Sequence, residues 1–248
     1  MARMNTSGLP IFLRRAAPLA LALLVAFPAG SAPGPDEPVR HDLSVVLYPE
    51  EGLLRAVDTL TLPPGDGSLS KFSLSRNARV TSVSVNGEEV TVARGKGSLT
   101  VAIDGKPPGK PIVVRIAYEG TFRDPPPEDP VNTEDPSFGV AGTISPGGVF
   151  LSDGADWYPE APGRGASFRV RVEGPAGFEA VTAGKRIRRG TSGGRTFSEW
   201  KTSHPIRGLT LSAGRYVVRD RAVDNVTVST YFFPGNDPLS GKYLDAVE

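Results

Sequence analysis

The sequence has no cysteine, only two histidines and no excess of charge of either sign. Without cysteine the chain cannot form a disulfide, an iron–sulfur cluster, a Cys-ligated zinc site or a Cys nucleophile. Its 28 Lys and Arg residues are balanced by 27 Asp and Glu residues, which gives a net charge of +1. A nearly neutral chain lacks the basic excess that holds phosphates, so nucleic acid is not expected as a partner.

Long apolar runs are also missing, because the longest uncharged apolar run, at 16–27, is shorter than a membrane helix of about 20 residues. Arginines precede this run, and small residues follow it at 28–32. The pattern predicts a cleavable signal peptide over 1–32, cut after Ser31 or Ala32. The alternative is an uncleaved N-terminal anchor. We expect export to the periplasm or the extracellular space, with no stable membrane span.

Glycine and proline are abundant, with 29 and 24 residues, which favours many turns and short strands. A Pro-rich linker at 33–38 is followed by apolar residues at every second position, in runs that recur along 39–233. Asn86-Gly87 lies between two such runs and predicts a type I′ hairpin turn. The sequence therefore predicts an all-β domain over 39–233, an antiparallel β-sandwich or saddle-like fold.

Two segments within this region depart from the alternation. Residues 119–147 contain several Asp-Pro pairs, and proline cannot donate to a central ladder, so they predict a long Pro-rich surface loop. The basic cluster at 185–189 alternates around Ile187 and predicts an edge strand protected by charge. The glycines at 190–194 then predict a hairpin turn.

The last residues follow a different pattern, which predicts that 234–248 is the start of a helical or catalytic domain that continues beyond the chain. Asp237 is suited to cap a helix, and Pro238 is suited to its first position. Apolar residues then follow at helical spacing and form a stripe that one short helix cannot bury alone. The residues of this stripe are Leu239, Tyr243, Leu244 and Val247.

The chain offers little catalytic or metal-binding chemistry. His41 and His204 are far apart in sequence, and a zinc site needs three or four converging ligands, so both are interpreted as surface or structural residues. No His-Glu dipeptide is present. Gly190–Gly194 matches Gly-x-Ser-x-Gly, but it lacks the strand-to-helix context of a nucleophile elbow and is interpreted as a hairpin turn. We therefore predict no catalytic residue and no metal ligand in this chain.

Four segments, in this order and spacing, resemble the N-terminal β domain of the M1 family of zinc aminopeptidases. They are the opening hairpin His41–Leu62, the strand Ile112–Gly120, the aromatic-Pro corner Trp157-Tyr158-Pro159 with the following strand Phe168–Pro175, and the turn Val181–Gly184. In that family a thermolysin-like catalytic domain follows and carries the zinc. The resemblance implies that this chain is the non-catalytic N-terminal portion of an exported M1-like metallopeptidase.

The same resemblance implies zinc as the cofactor of the complete protein, a peptide as its substrate and the missing C-terminal catalytic domain as the partner of this chain. In the family, an acidic or amide residue shortly before the aromatic-Pro corner helps to hold the free amine of the substrate. An ungapped count lands at 148–150, where no residue can do this, and Asp153 matches only with a gap. The alternative is a free-standing exported β-sandwich binding module without catalysis.

Overall fold

The computed structural model describes residues 38–64, 69–103, 110–125, 139–161 and 165–247. The predicted signal peptide and most of the predicted linker lie outside these residues. The described residues form seventeen strands, three short 3-10 helices and one α-helix. The strands are β1 (Val39–Tyr48), β2 (Leu53–Leu62), β3 (Leu69–Ser73), β4 (Ala78–Val85), β5 (Glu88–Glu89), β6 (Val92–Gly95), β7 (Ser98–Ala102), β8 (Ile112–Thr121), β9 (Gly142–Ser145), β10 (Gly148–Leu151), β11 (Ala166–Pro175), β12 (Glu179–Thr182), β13 (Lys185–Ser192), β14 (Arg195–Lys201), β15 (Leu211–Gly214), β16 (Val217–Val223) and β17 (Val226–Phe232). The 3-10 helices span Pro49–Glu51, Asp153–Ala155 and Pro234–Leu239, and α1 spans Ser240–Asp245.

An eight-stranded sheet forms the largest layer, in the order β13-β14-β11-β1-β2-β8-β4-β5. The predicted opening hairpin is present, with β1 antiparallel to β2 and Leu47 opposite Leu54. One pair departs from the antiparallel pattern, because β1 and β11 run parallel from Val39↔Ala166 to Val46↔Glu173. The prediction of an all-β, mainly antiparallel domain is confirmed.

Smaller sheets complete the fold, in the orders β12-β15-β10-β9, β3-β7-β6 and β16-β17. Side chains from the large sheet and from the first two of these sheets join one hydrophobic core. Leu43 of β1, Phe72 of β3, Leu99 of β7, Leu151 of β10 and Leu211 of β15 are all fully buried members. Each such side chain contributes about 1.5–3 kcal/mol by leaving water, so the alternating pattern specifies which faces pack together. The arrangement is sandwich-like.

The turn and edge predictions are also confirmed. Asn86 and Gly87 have φ angles of 52° and 88°, as a type I′ turn requires, and they join β4 to β5. The basic segment 185–189 lies in β13, at one edge of the large sheet. Gly193 and Gly194 turn the chain from β13 into β14 with positive φ angles.

The loop predicted at 119–147 is wrong at both ends. Strand β8 continues to Thr121, and 142–145 forms β9, which pairs with β10. The carboxylate of Asp124 accepts hydrogen bonds from the backbone N–H groups of Ala141 (2.9 Å) and Gly142 (2.7 Å), and so holds the two ends of the segment together. The prolines exclude strand pairing only at their own positions. All of them lie before residue 137 except Pro146, which lies in the turn between β9 and β10. Residues 126–138 lie outside the described residues.

Asp237 does not cap a helix as predicted. A 3-10 helix begins at Pro234, three residues earlier, and α1 begins only at Ser240, where no side chain caps its first turn. The carboxylate of Asp237 instead accepts hydrogen bonds from the guanidinium of Arg219, at 2.7 Å from its Nε, and from the hydroxyl of Ser240 at 3.2 Å. The Arg219 hydrogen bond lowers the pKa of Asp237.

One residue of the apolar stripe on the C-terminal helix is covered by the rest of the chain. Leu244 is buried, because α1 packs on β17, so the prediction that this helix cannot bury its stripe within the chain is wrong for that residue. Tyr243 touches Phe232, with ring centroids 5.5 Å apart, yet it stays 58% exposed. Leu239 and Val247 are each 45% exposed. Across the described ranges, every helix falls short of the length and apolarity needed to cross a membrane.

Candidate functional site

The aromatic corner, residues 152–160, connects β10 to the segment before β11. Trp157 is fully buried, and its indole N–H donates to the carbonyl of Leu209 at 2.8 Å. The carbonyl of Trp157 accepts a hydrogen bond from the hydroxyl of Tyr118 at 3.0 Å. These two bonds fix the corner between β8 and the segment that leads into β15, as buried Trp and Tyr groups require.

Tyr158 packs on a buried His–Asp pair. The ring of His41 stacks on Phe168 with centroids 4.7 Å apart, and Tyr158 meets both rings edge-on, at 5.8 Å from His41 and 5.6 Å from Phe168. Nδ1 of His41 lies 2.7 Å from Oδ2 of Asp58, and both side chains are buried. His41 was interpreted as a surface or structural residue, and the structure places it in the core.

Three buried polar atoms around this pair have no hydrogen-bond partner within the described part of the chain. They are Nε2 of His41, Oδ1 of Asp58 and the hydroxyl of Tyr158. Burial raises the pKa of Tyr158, and the carboxylates of Glu160, Asp153 and Asp58 raise it further. The phenol of Tyr158 therefore stays protonated at neutral pH and keeps its hydroxyl as a hydrogen-bond donor.

The acidic rim of the corner consists of Asp153, Asp156 and Glu160. Asp153 is exposed at the start of a 3-10 turn, and its carboxylate accepts the N–H of Gly154 at 2.9 Å. Asp156 has the left-handed φ of 48°, and its carbonyl accepts the N–H of Ser75 at 2.8 Å. The rim therefore belongs to a turn whose backbone is tied to the connection between β3 and β4.

Glu160 is the half-buried member of the rim. Its backbone exchanges hydrogen bonds of 2.8 and 3.1 Å with Ser73 of β3. Partial burial raises the pKa of Glu160, and the carboxylates of Asp153 and Asp156 raise it further, while a backbone hydrogen bond from Gly208 opposes the rise. Three carboxylates in one turn create a local negative potential that favours a cation.

The position of Asp153 depends on a glycine. Gly208 has a φ of +73°, and a Cβ placed on it would lie 2.6 Å from Oδ2 of Asp153 and 2.9 Å from its Cβ. A side chain at Gly208 would therefore push Asp153 away, in addition to straining the left-handed backbone. Close packing on Gly208 orients the candidate substrate-binding residue.

A polar cleft of about 440 Å³ runs beside the corner. Its charged lining residues are Arg76, Lys96, Asp124 and Asp156. A cleft with both signs of charge can orient a polar ligand. Among the residues that the structure describes, no three His, Cys, Asp or Glu side chains are grouped to hold a metal ion. His204 is exposed and contacts Ser203, with Nδ1 and the hydroxyl 3.0 Å apart.

The structure is similar in fold to solved zinc peptidases. The M1 zinc metallopeptidase from Deinococcus radiodurans superposes with a TM-score of 0.58 and 21% identity, over 79% of this chain and 47% of that one. A mutant of it bound to a Tyr-Ser-Ala substrate gives a TM-score of 0.57 at 22% identity, over 78% and 47%. The Legionella pneumophila aminopeptidase A complex with aspartic acid gives 0.62 at 14%, over 81% and 24%.

These likenesses confirm the predicted resemblance at the level of the fold. No family model matches the sequence, and no curated protein matches it. The chain spans about half the length of the Deinococcus structures that it matches.

Proposed function

We propose that this chain is the non-catalytic N-terminal portion of an exported M1-like zinc metallopeptidase, whose complete form hydrolyses peptides. The observation that carries the proposal is the fold, which follows M1 zinc metallopeptidases over 78–79% of this chain and only 47% of theirs. The remaining half of such a protein has room for a catalytic domain. The described residues do not fit a zinc site, so we assign the metal to that further domain.

We assign the acidic rim to the border of the active site. In this assignment Asp153, which is exposed and oriented by Gly208, contacts the protonated amine of the peptide substrate. Asp156 and Glu160 add negative potential behind it, since their charges act on the same turn. Export follows from the proposed signal peptide over 1–32, which lies outside the described residues.

The experiment reads the gene beyond Glu248 and then assays the longer protein. We expect a His-Glu-x-x-His motif in frame, about one bound zinc per chain and hydrolysis of an aminoacyl amide. Asp153→Asn in that protein should raise KM for a substrate with a free amine about five-fold, as expected for the loss of one exposed ion pair. The KM for an N-acetylated substrate should not change. Asp224→Asn, in the exposed turn between β16 and β17, is the matched control.

A free-standing exported binding module is the second candidate. The observation that favours it is the burial of Leu244 under β17, because the C-terminal helix finds part of its cover inside this chain. A stop codon directly after Glu248, with no metallopeptidase motif in frame, would replace the first proposal by this one. N-terminal sequencing of the exported product tests the signal peptide in both cases, and a chain that retains 1–27 would contradict it.

A further inference from the structure

A second concave surface lies between two strands that each have an open edge. In the large sheet, β5 pairs with β4 only at Ser84 and Val85, and the backbone N–H of Val90 donates to the carbonyl of Val83 at 3.1 Å. Within the described residues, the stretch 79–82 therefore has a partner strand, β8, on one side only. In the three-stranded sheet, β6 is the outer strand. A groove of about 890 Å³ lies between these two edges, and we call it the edge groove.

The edge groove has an apolar floor and a basic rim. Its apolar lining residues are Ala78, Val80, Val83, Val90 and Val92, and its charged lining residues are Arg76, Arg79, Arg94 and Lys96. No acidic residue among those described lines it. The nearest acids along the chain, Glu88 and Glu89, follow on β5 outside the lining, so the basic character belongs to the groove itself.

Two of the four cations are already engaged. Arg79 donates to the carboxylate of Glu119 at 2.6 Å. Arg94 reaches from β6 to the carbonyls of Ser75 (3.0 Å) and Ala78 (2.9 Å), and thereby closes one end of the groove.

Arg76 and Lys96 remain available at that end. Both are exposed, and neither has a hydrogen bond or an ion pair with any residue that the structure describes. The edge groove also meets the polar cleft of the aromatic corner at these two residues, since both side chains line both surfaces.

Open strand edges present unpaired N–H and C=O groups, to which an extended peptide can add as a further strand. At about 3.3 Å per residue, the open stretch 79–82 of β4 spans roughly 13 Å, which accommodates about four extended residues. Basic side chains on an edge discourage pairing with another basic edge. The same cations attract carboxylates, and Arg binds them with matched geometry.

We propose that the edge groove binds an extended acidic peptide segment that adds as a strand between β4 and β6. Alternate side chains of the segment would pack on Val80 and Val92, and its carboxylates would pair with Arg76 and Lys96. The proposal rests on the open edges, the valine floor and the free cations. It does not depend on the proposed peptidase function.

The test measures the binding of fluorescent hexapeptides to the full chain by anisotropy. The probes alternate Glu with Val, or Lys with Val, and a third probe carries N-methyl groups on the backbone of the Glu–Val sequence. We expect the Glu–Val probe to bind and the other two to bind at least ten-fold more weakly, because one has the wrong charge and the other cannot pair as a strand.

Substitutions locate the site. The double variant Arg76→Gln/Lys96→Gln should weaken binding about five-fold, as two exposed ion pairs of 0.2–1 kcal/mol each imply. Arg115→Gln/Lys201→Gln removes the same charge from exposed strand positions outside the groove lining and should bind as the unmodified chain does. Absence of Glu–Val binding, equal binding of the N-methylated probe, or equal effects of the two double variants would each overturn the proposal.

Discussion

The aromatic corner and the C-terminal tail, residues 233–247, both carry aromatic side chains, yet they are packed in opposite ways. Trp157 and Tyr158 are at most 1% exposed, and Trp157 binds the carbonyl of Leu209 through its indole N–H. On the tail, Tyr243 is 58% exposed and Phe233 is 40% exposed. The corner buries its large side chains within the chain, whereas the tail leaves most of its own on the surface.

The difference shows which of the two regions is fully covered by contacts within this chain. The corner lies within the shared core, so its geometry is set without any partner. The tail contacts mainly the β16–β17 hairpin, a separate two-stranded sheet, and only Leu244 among its apolar residues is buried. Exposed large apolar side chains grouped on one element are typical of an interface. This supports the proposal that a further domain covers the tail.

The largest expected effect comes from removing the centre of the corner. Trp157→Ala deletes a fully buried side chain together with its hydrogen bond to Leu209, so we expect the free energy of unfolding to fall by about 3–5 kcal/mol. Urea unfolding followed by circular dichroism measures this change. The matched variant Tyr243→Ala, at an exposed site, should cost less than about 0.5 kcal/mol. Equal losses in the two variants would contradict the comparison.

Most of the fold could be predicted from the sequence, because alternation and turn chemistry act locally. The Asn86-Gly87 turn and the basic edge strand at 185–189 were both predicted. The short strand β9 was missed because four residues, between a Pro-rich and a glycine-rich segment, are too few to show an alternation of apolar and polar side chains. The cap at Asp237 was predicted wrongly because Arg219, on another element, competes for its carboxylate.

The candidate site was harder to predict, since its contacts join distant segments. Asp153 was predicted by comparison with the M1 family, but its packing on Gly208 has no local signal. The pairing of His41 with Asp58 was missed, although two strands of one hairpin that each place a polar residue, His41 on β1 and Asp58 on β2, among inward-facing apolar positions are a usable sign of a buried pair. The backbone of Glu160 is held by Ser73, which is far away in sequence.

A smaller effect should follow from the acidic rim, and it depends on pH. Because the pKa of Glu160 is raised by burial and by two nearby carboxylates, the folded chain holds this proton more tightly than the unfolded chain does. Stability should therefore fall as the pH rises from the ordinary value of 4.5 through the higher pKa of the folded state. Glu160→Gln cannot ionise and should escape this loss.

Thermal unfolding between pH 3.5 and 7 tests the rim. We expect Glu160→Gln to gain melting temperature relative to the unmodified chain as the pH rises through this window, and to keep the gain at pH 7. Glu89→Gln removes the same charge from an exposed position on β5 and is the control. If the two variants depend on pH in the same way, the rim does not disfavour the ionised form of Glu160.

The smallest effect on the core is expected from deleting the tail. A chain that ends at Pro234 loses α1 but keeps the hairpin and its link to β13, in which Arg186 donates to the hydroxyl of Tyr231 at 2.7 Å. The core should melt within about 2 °C of the full chain, since surface changes of about 0.5 kcal/mol shift the midpoint by no more than this. Amide exchange in β17 should rise, because Leu244 no longer covers it. Cooperative unfolding of the whole β domain on this truncation would instead show that the tail belongs to the core, and the free-standing binding module would become the better interpretation.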